Sequence, residues 1–578
     1  MAGEFDLEYM NECMEAFDYS CPDNEVFVEK LDEICRVYKQ SVDDIVDEIV
    51  SILQNEGKKL VTMNVILNLE KKLEQKQQRE VELSRSAKRT NVRKPLADRT
   101  MATLGKSFVE EVEGSTASEK TEVIEAEKYM RFAPFDNSIP NNGFFNRKDI
   151  GKVTTEFKGA KYTERDQGAS MTSIGKIEVV SKAVRDMYGG DKASLAIEAK
   201  FRRFGEIAKS YREAYPEITD WGNPLAPAVE SVFTYGQIFH DDEAKDNERF
   251  GENNVSLMID DDDGSMIRLD LSRLSDDVSM FPGQIVALSG INETGEKLIV
   301  DRIFDAPMTP PPKPFTSQIC ADVWFASGPF TSPDNCGYEQ LCELLEQVVE
   351  HQPNLLILTG PFIDKKNNFL TKNEFTITYD TLLEQLFIKM ARKLDNTKTQ
   401  IIIQPSSVRD ATIIPVFPAS AFDFSANPKI QNKFHFVADP CIVRMCDGQL
   451  EIAITSSEAI THLSKHEYHR SANQENVDRI ARLYSHLLKQ KCLYPLEPSE
   501  IPSSLEKLLE VASISSAPHI VMAPCVLAPT VKTVGSTAFV NPSSLARGAS
   551  GTFIRARINA KSGATRVAEF TNFEVVKV

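Results

Sequence analysis

Leu355-Leu-Ile-Leu-Thr-Gly-Pro-Phe-Ile-Asp364 decides how the C-terminal half is read. Large aliphatic residues run without interruption into a Gly-Pro turn. A short unbroken apolar run closed by a turn signal reads as a strand buried on both faces, which a layered α/β fold provides. The pattern recurs along the chain. Val323-Trp-Phe-Ala326 leads into Ser327-Gly-Pro-Phe-Thr331, Ile401-Ile-Ile403 into Pro405-Ser-Ser-Val-Arg-Asp410, and Ala538-Phe-Val540 into Asn541-Pro-Ser-Ser-Leu545. Tyr338 to Val349 and Thr381 to Leu394 carry helical periodicity, and Glu451-Ile-Ala-Ile-Thr455 and Ile520-Val-Met522 add strands. Residues 311–578 are therefore expected to form an α/β domain whose chemistry, if any, lies in the loops beyond the strand ends.

Upstream, the proline-rich Pro307 to Pro314 reads as a stiff connector. Before it come short strands: Val232–Phe239, Val255–Ile259, Met266–Leu271, Phe281–Ile291 and Lys297–Ile303. Five short strands with turn residues between them suit a small closed barrel of the OB type. A helix near 191–214 precedes them, so 166–310 is read as a helix plus OB-fold domain. The Asp260–Gly264 run lacks the alternating ligands and distal Glu of a calcium loop, and its Asp-Gly step marks a hairpin turn. Residues 76–165 are polar and aperiodic and read as a flexible linker. Ser84 to Lys94 within it is basic and suits a nuclear import signal, a loose nucleic-acid contact or a solvated stretch. In 1–75, Phe27, Leu31, Ile34 and Tyr38, then Val42, Ile45, Ile49 and Ile52, then Val65, Ile66, Leu69 and Leu73 recur at helical spacing. Those stripes predict a small helical bundle. The fold class is thus multidomain α+β.

Composition narrows the function classes. The chain has 578 residues, 42% of them apolar, enough for several cores. With 66 Lys+Arg against 85 Asp+Glu the net charge is −19, which disfavours nucleic-acid binding by charge alone. Ten cysteines without a C-x-x-C pair argue against a disulfide scaffold or a cysteine zinc site, and for a reducing compartment. No apolar run approaches the ~20 residues of a membrane span, and the acidic N-terminus does not read as a signal peptide.

The loops after the C-terminal strands resemble, in order and spacing, those of the calcineurin-like metallophosphoesterases. That resemblance implies D-x-H, G-D-x-x-D, G-N-H-D and G-H-x-H motifs holding two metals that activate water and clamp a phosphate. The ligands are nearly all replaced. Ser327-Gly-Pro329 lacks the first Asp and His, Pro361 stands for the bridging Asp, and Arg409-Asp410 replaces His-Asp. Asn541, Pro542, Ser543 and Ser544 stand where the last two histidines are expected. Asp364 and Asp410 survive as carboxylates, and Arg409 brings positive charge to a cation's place. No catalytic, cofactor or metal residue is therefore assigned.

A degenerate phosphoesterase behind an OB barrel resembles the B subunits of the replicative DNA polymerases, and the helical head and long linker narrow this to the polymerase α–primase branch. The residues carrying it are Asn223-Pro-Leu-Ala-Pro227, Leu271 into Gly283-Gln-Ile-Val286, Gly290-Ile-Asn-Glu-Thr-Gly295, Ala326–Thr331, Gly360–Asp364, Pro405–Asp410, Phe539–Ser544 and Gly551-Thr-Phe. It covers about 25–70 and 190–578. It implies a non-catalytic nuclear subunit that grips the zinc-binding C-terminal domain of the catalytic chain and through it joins primase. The N-terminal domain would dock other replication proteins, with DNA contact weak or indirect and no membrane association.

Rival readings attach to particular residues. An active metallophosphoesterase with unusual ligands is the first alternative. A single-stranded DNA-binding barrel is the second, with Phe233, Tyr235 and Phe239 on one strand face as stacking platforms; the acidic surroundings favour a core or protein-binding role for them. His462, His466 and His469 would share a helix face and suit zinc, yet no catalytic Glu follows His462, which favours surface or partner-facing histidines. No G-x-S-x-G or Walker A motif is present.

Overall fold

The computed structural model describes scattered residues between Pro22 and Leu73, Phe135, Phe144, and residues 147–578 apart from 165–170, 182–191, 242–248, 262–263, 275–276, 373–376, 472–477 and 549–550. The chain divides into two compact units, Met1–Ala126 and Glu127–Val578. In the first, the described residues from Phe27 to Leu53 and from Met63 to Leu73 have helical backbone. Leu31, Ile34, Ile45, Ile49, Val65, Ile66, Leu69 and Leu73 pack in one buried cluster, as their spacing predicts. Tyr38, Val42 and the basic Ser84–Lys94 stretch lie outside the described residues.

In the second unit, the helix Ala193–Ala214 leads into a closed barrel. Its strands are β3 (Val232–His240), β4 (Val255–Ile259), β5 (Met266–Asp270), β7 (Ile285–Ile291) and β8 (Lys297–Phe304), paired in the order β3-β4-β5-β8-β7. The ring closes through antiparallel pairing of β3 with β7. Ile238, Leu257, Leu269, Leu288 and Leu298 fill it. Between β4 and β5, Gly264 takes φ +62° and Asp261 accepts from the Ser265 amide. The sequence carries β7 back to Phe281. Instead Phe281-Pro-Gly-Gln284 is a turn, preceded by a separate strand β6 (Val278–Met280) that pairs with β15 (Tyr468–Arg470).

The C-terminal part is a double-sheet sandwich. One sheet runs β1 (Val153–Lys158), β20 (Thr571–Lys577), β19 (Thr552–Ala560), β9 (Ile319–Ser327), β10 (Leu355–Thr359), β11 (Gln400–Gln404), β12 (His435–Phe436). The other runs β17 (Thr530–Val534), β18 (Thr537–Asn541), β16 (Ile520–Met522), β14 (Leu450–Ile454), β13 (Cys441–Met445), β2 (Glu178–Val179). The two-residue strand repeat explains the unbroken apolar runs. Leu355 and Ile357 of β10 face the core between the sheets, and Leu356 and Leu358 face an outer core under the helices Glu339–His351 and Tyr379–Lys393. The second sheet splits likewise: Ile520 and Met522 point inward, and Val521 packs against the helix Arg479–Lys489. Both outer faces are covered by helices, giving four layers.

One boundary moves. The linker read over 76–165 contains β1, which pairs along β20, and Tyr162, which is buried. Its Val-Thr-Thr-Glu-Phe-Lys sequence is too polar to signal a buried strand, and its side chains are largely exposed. A ladder holds it rather than burial.

Burial also sets a pH response. His519 is almost fully buried and stacked on Phe315 at 4.7 Å, and its Nδ1 accepts from the Glu451 amide at 3.1 Å. Burial lowers its pKa from 6.5 to about 4. The unfolded chain therefore binds a proton that the folded chain refuses between those values, so stability falls as the pH drops from about 6.5 to 4. Urea denaturation is expected to show a loss of roughly 2–3 kcal/mol over that window from this group. His519→Gln should remove that part of the slope, and an unchanged slope would refute the assignment.

Candidate functional site

The strand-end loops converge as their spacing predicts. Ser327 bridges to Ser544, and Asp364 bridges to Asp410 through the backbone. Gly360 lies so close beneath Asp410 that a Cβ there would sit 2.1 Å from its Oδ2. Between the loops remains a cavity of about 20 Å³ lined by Ser327, Pro361, Ser406, Arg409, Glu458 and Cys525 among others. That is room for about one water molecule.

Each surviving carboxylate is committed to neighbours. Asp410 is buried, its Oδ1 accepting from the amides of Phe362 (2.6 Å) and Ile363 (3.1 Å) and its Oδ2 from Ser406 (2.6 Å). Burial raises its carboxyl to about 7, against the pull of those three amides. Asp364 holds Arg409, with Nη2 at 2.5 Å from Oδ2 and Nε at 3.4 Å from Oδ1. The guanidinium thus neutralises the acid that a metal would need. Loop amides therefore hold Asp410, and its sequence neighbour Arg409 turns away to Asp364.

Asn541 braces the last loop rather than facing the cavity. Its Oδ1 accepts from the amides of Cys525 and Ser543, and its Nδ2 donates to the Ala528 carbonyl. Among the described residues, no group of three or more His, Cys, Asp or Glu side chains is arranged to hold a metal ion.

The sequence reading misses two loops and one acid. Thr455–Glu458 after β14 and Ala523–Val526 after β16 also reach the cavity, through Ser456, Glu458, Pro524, Cys525 and Val526. Both follow recognisable strands, so the strand-then-turn signal was available. Glu458 takes φ +51°, and burial raises its carboxyl against the charge of Arg409. Burial pushes the Cys525 thiol up to about 12, away from the thiolate form that a nucleophile uses. Asp439 is fully buried and accepts from the amides of Ser407 and Ser456 and from the hydroxyls of Ser407, Thr455 and Ser456. It precedes β13, a strand the sequence did not reveal.

The other candidates separate. The helix carrying His462 ends at His466, and His469 sits on β15 with Nδ1 at the Val278 carbonyl. His462 contacts the Tyr494 hydroxyl at 3.0 Å, and His466 contacts Glu500 at 2.5 Å. The three do not share a face. Phe233 and Tyr235 pack with Phe204, Ile207 and Tyr211 of the helix Ala193–Ala214, and Phe239 lies under Lys200. The helix occupies the face on which bases would stack.

Comparison with known proteins adds to this geometry. A family model for the N-terminal domain of the DNA polymerase alpha B subunit matches residues 8–76, and one for the OB domain of the DNA polymerase alpha B subunit matches 196–306. A third, for the DNA polymerase alpha/epsilon B subunit, matches 323–532. A Caenorhabditis elegans protein named as the B subunit of DNA polymerase alpha is 46% identical over 585 residues, covering 100% of both chains. The chain belongs to the DNA polymerase alpha B subunit family. Relatives of that name from Mus musculus and Saccharomyces cerevisiae are 26% identical over 601 residues (95% of this chain, 96% of theirs) and 23% over 338 (54% and 46%). The OB-domain match spans all five barrel strands, and the match at 323–532 spans the strand-end loops as far as β16. No described helix is long and apolar enough to cross a membrane.

Proposed function

We propose that this chain is the non-catalytic scaffold and regulatory subunit of DNA polymerase α–primase. Barrel and sandwich together grip the zinc-binding C-terminal domain of the catalytic polymerase chain, through which primase joins. The N-terminal helical domain, about 1–75, docks other replication proteins, and the assembly supports primer synthesis in the nucleus. The phosphoesterase-like domain is inactive. The observation carrying this reading is the strand-end cluster, where Arg409 and loop amides consume the carboxylates that metals would require.

The purified chain is expected to hydrolyse an aryl phosphate ester no faster than buffer with Mn²⁺ or Zn²⁺ added. Metal-dependent turnover abolished by Asp364→Asn would overturn the inactive reading. Single-stranded oligonucleotide binding should be weak, and unchanged by Phe233→Ala with Tyr235→Ala. A steep salt dependence lost in that double variant would restore the DNA-binding alternative.

A further inference from the structure

The segment just ahead of the barrel helix behaves as a ligand of the sandwich. β1 descends β20 in antiparallel register from Val153↔Val576 to Lys158↔Asn572. The chain then turns under the sheet: Gly159 donates to the Thr571 carbonyl, Lys161 to the Glu569 carbonyl, and the Thr163 carbonyl accepts from Asn559. Further on, Thr172 exchanges two backbone-directed hydrogen bonds with Cys320 at the start of β9. The Gly175 carbonyl accepts from Gln400 at the start of β11. Ile174, 3% exposed, plugs the core between the sheets. The segment leaves along β13, pairing Glu178 with Arg444 and Val179 with Val443. It thus covers one edge of each sheet and crosses the end opposite the strand-end loops.

We propose that the sandwich carries a strand-accepting site, occupied in the intact chain by residues 149–164 and 171–181. Its ligand class is an extended polypeptide: a strand read mainly through backbone hydrogen bonds, a glycine, then an aliphatic plug. Every β1 side chain but Phe157, which packs against the core between the sheets, is exposed, which fits adhesion mainly by the ladder. Without the segment, β20 and β13 become open edges, which proteins ordinarily cover. The glycine is a steric requirement, because a Cβ on Gly159 would lie 2.2 Å from the Ala568 carbonyl oxygen and 2.5 Å from the Glu569 carbonyl carbon, both backbone atoms.

Hydrogen exchange on the full chain tests this. In the native protein, the amides of Thr155, Phe157 and Gly159, which alternate toward β20, and of Val180 should be protected together with β20. In Gly159→Val they should exchange roughly tenfold faster or more, with β10 and β11 unchanged. A synthetic peptide of residues 149–181 with glycine at 159 should restore the protection of β20, and failure of that peptide to do so would count against the site. Native β1 amides exchanging at the rate of unstructured chain would overturn the proposal, as would unchanged protection in Gly159→Val. The native measurement decides even if the variant fails to fold.

Discussion

Phe281→Ala is expected to destabilise the second unit by about 3–5 kcal/mol and to split its thermal unfolding into two transitions. Phe281 belongs to the barrel's β6–β7 turn, yet it is fully buried in the sandwich's outer core with Leu483, Leu487, Leu488 and Tyr494. Its ring meets His486 edge-on at 4.9 Å. Polar contacts around it also tie barrel to sandwich. The Gln490 side chain pairs both ways with the Ile285 backbone, and the Ser279 hydroxyl donates to Glu467, which Arg482 holds through two bonds. Truncating the ring removes the apolar anchor and leaves a cavity among side chains that cannot easily collapse. A calorimetric trace that stays single, with a loss under about 1 kcal/mol, would show that the barrel is held by other means.

Asp410→Ala should cost about 3 kcal/mol or more, because it leaves the buried amides of Phe362, Ile363 and Ser406 without an acceptor. Relief of a buried charge offsets part of that cost. The pH dependence separates the two effects. With the carboxyl raised to about 7 in the folded state, the native chain keeps a proton that the unfolded chain releases near pH 4. Between those values the folded state binds more protons, so stability from this group falls as the pH rises from about 4 to 7. Asp410→Asn should flatten that segment of the denaturation profile while retaining one acceptor oxygen. Unchanged stability in the alanine variant would refute the role of Asp410 as a loop anchor.

Legibility followed burial. β9, β10 and β11 announce themselves because both faces are buried, and the five barrel strands because turn residues punctuate them. β1 does not, since a polar edge strand is held by pairing with residues over four hundred positions away, which no local pattern encodes. That Ser327, Pro361 and Arg409 are poor metal ligands was readable from residue type alone. What replaced them was only half readable: Asp410 had to find partners once buried, but the Asp364–Arg409 pair and the five bonds converging on Asp439 depend on loops that meet only in three dimensions.

The central claim is that this chain works by holding a catalytic partner. Co-expression with the zinc-binding C-terminal segment of the polymerase α catalytic chain, followed by size-exclusion chromatography, tests it most directly. The scaffold account predicts one stoichiometric peak that survives high salt. Separate elution of the two chains, with this chain monodisperse by itself, would contradict it.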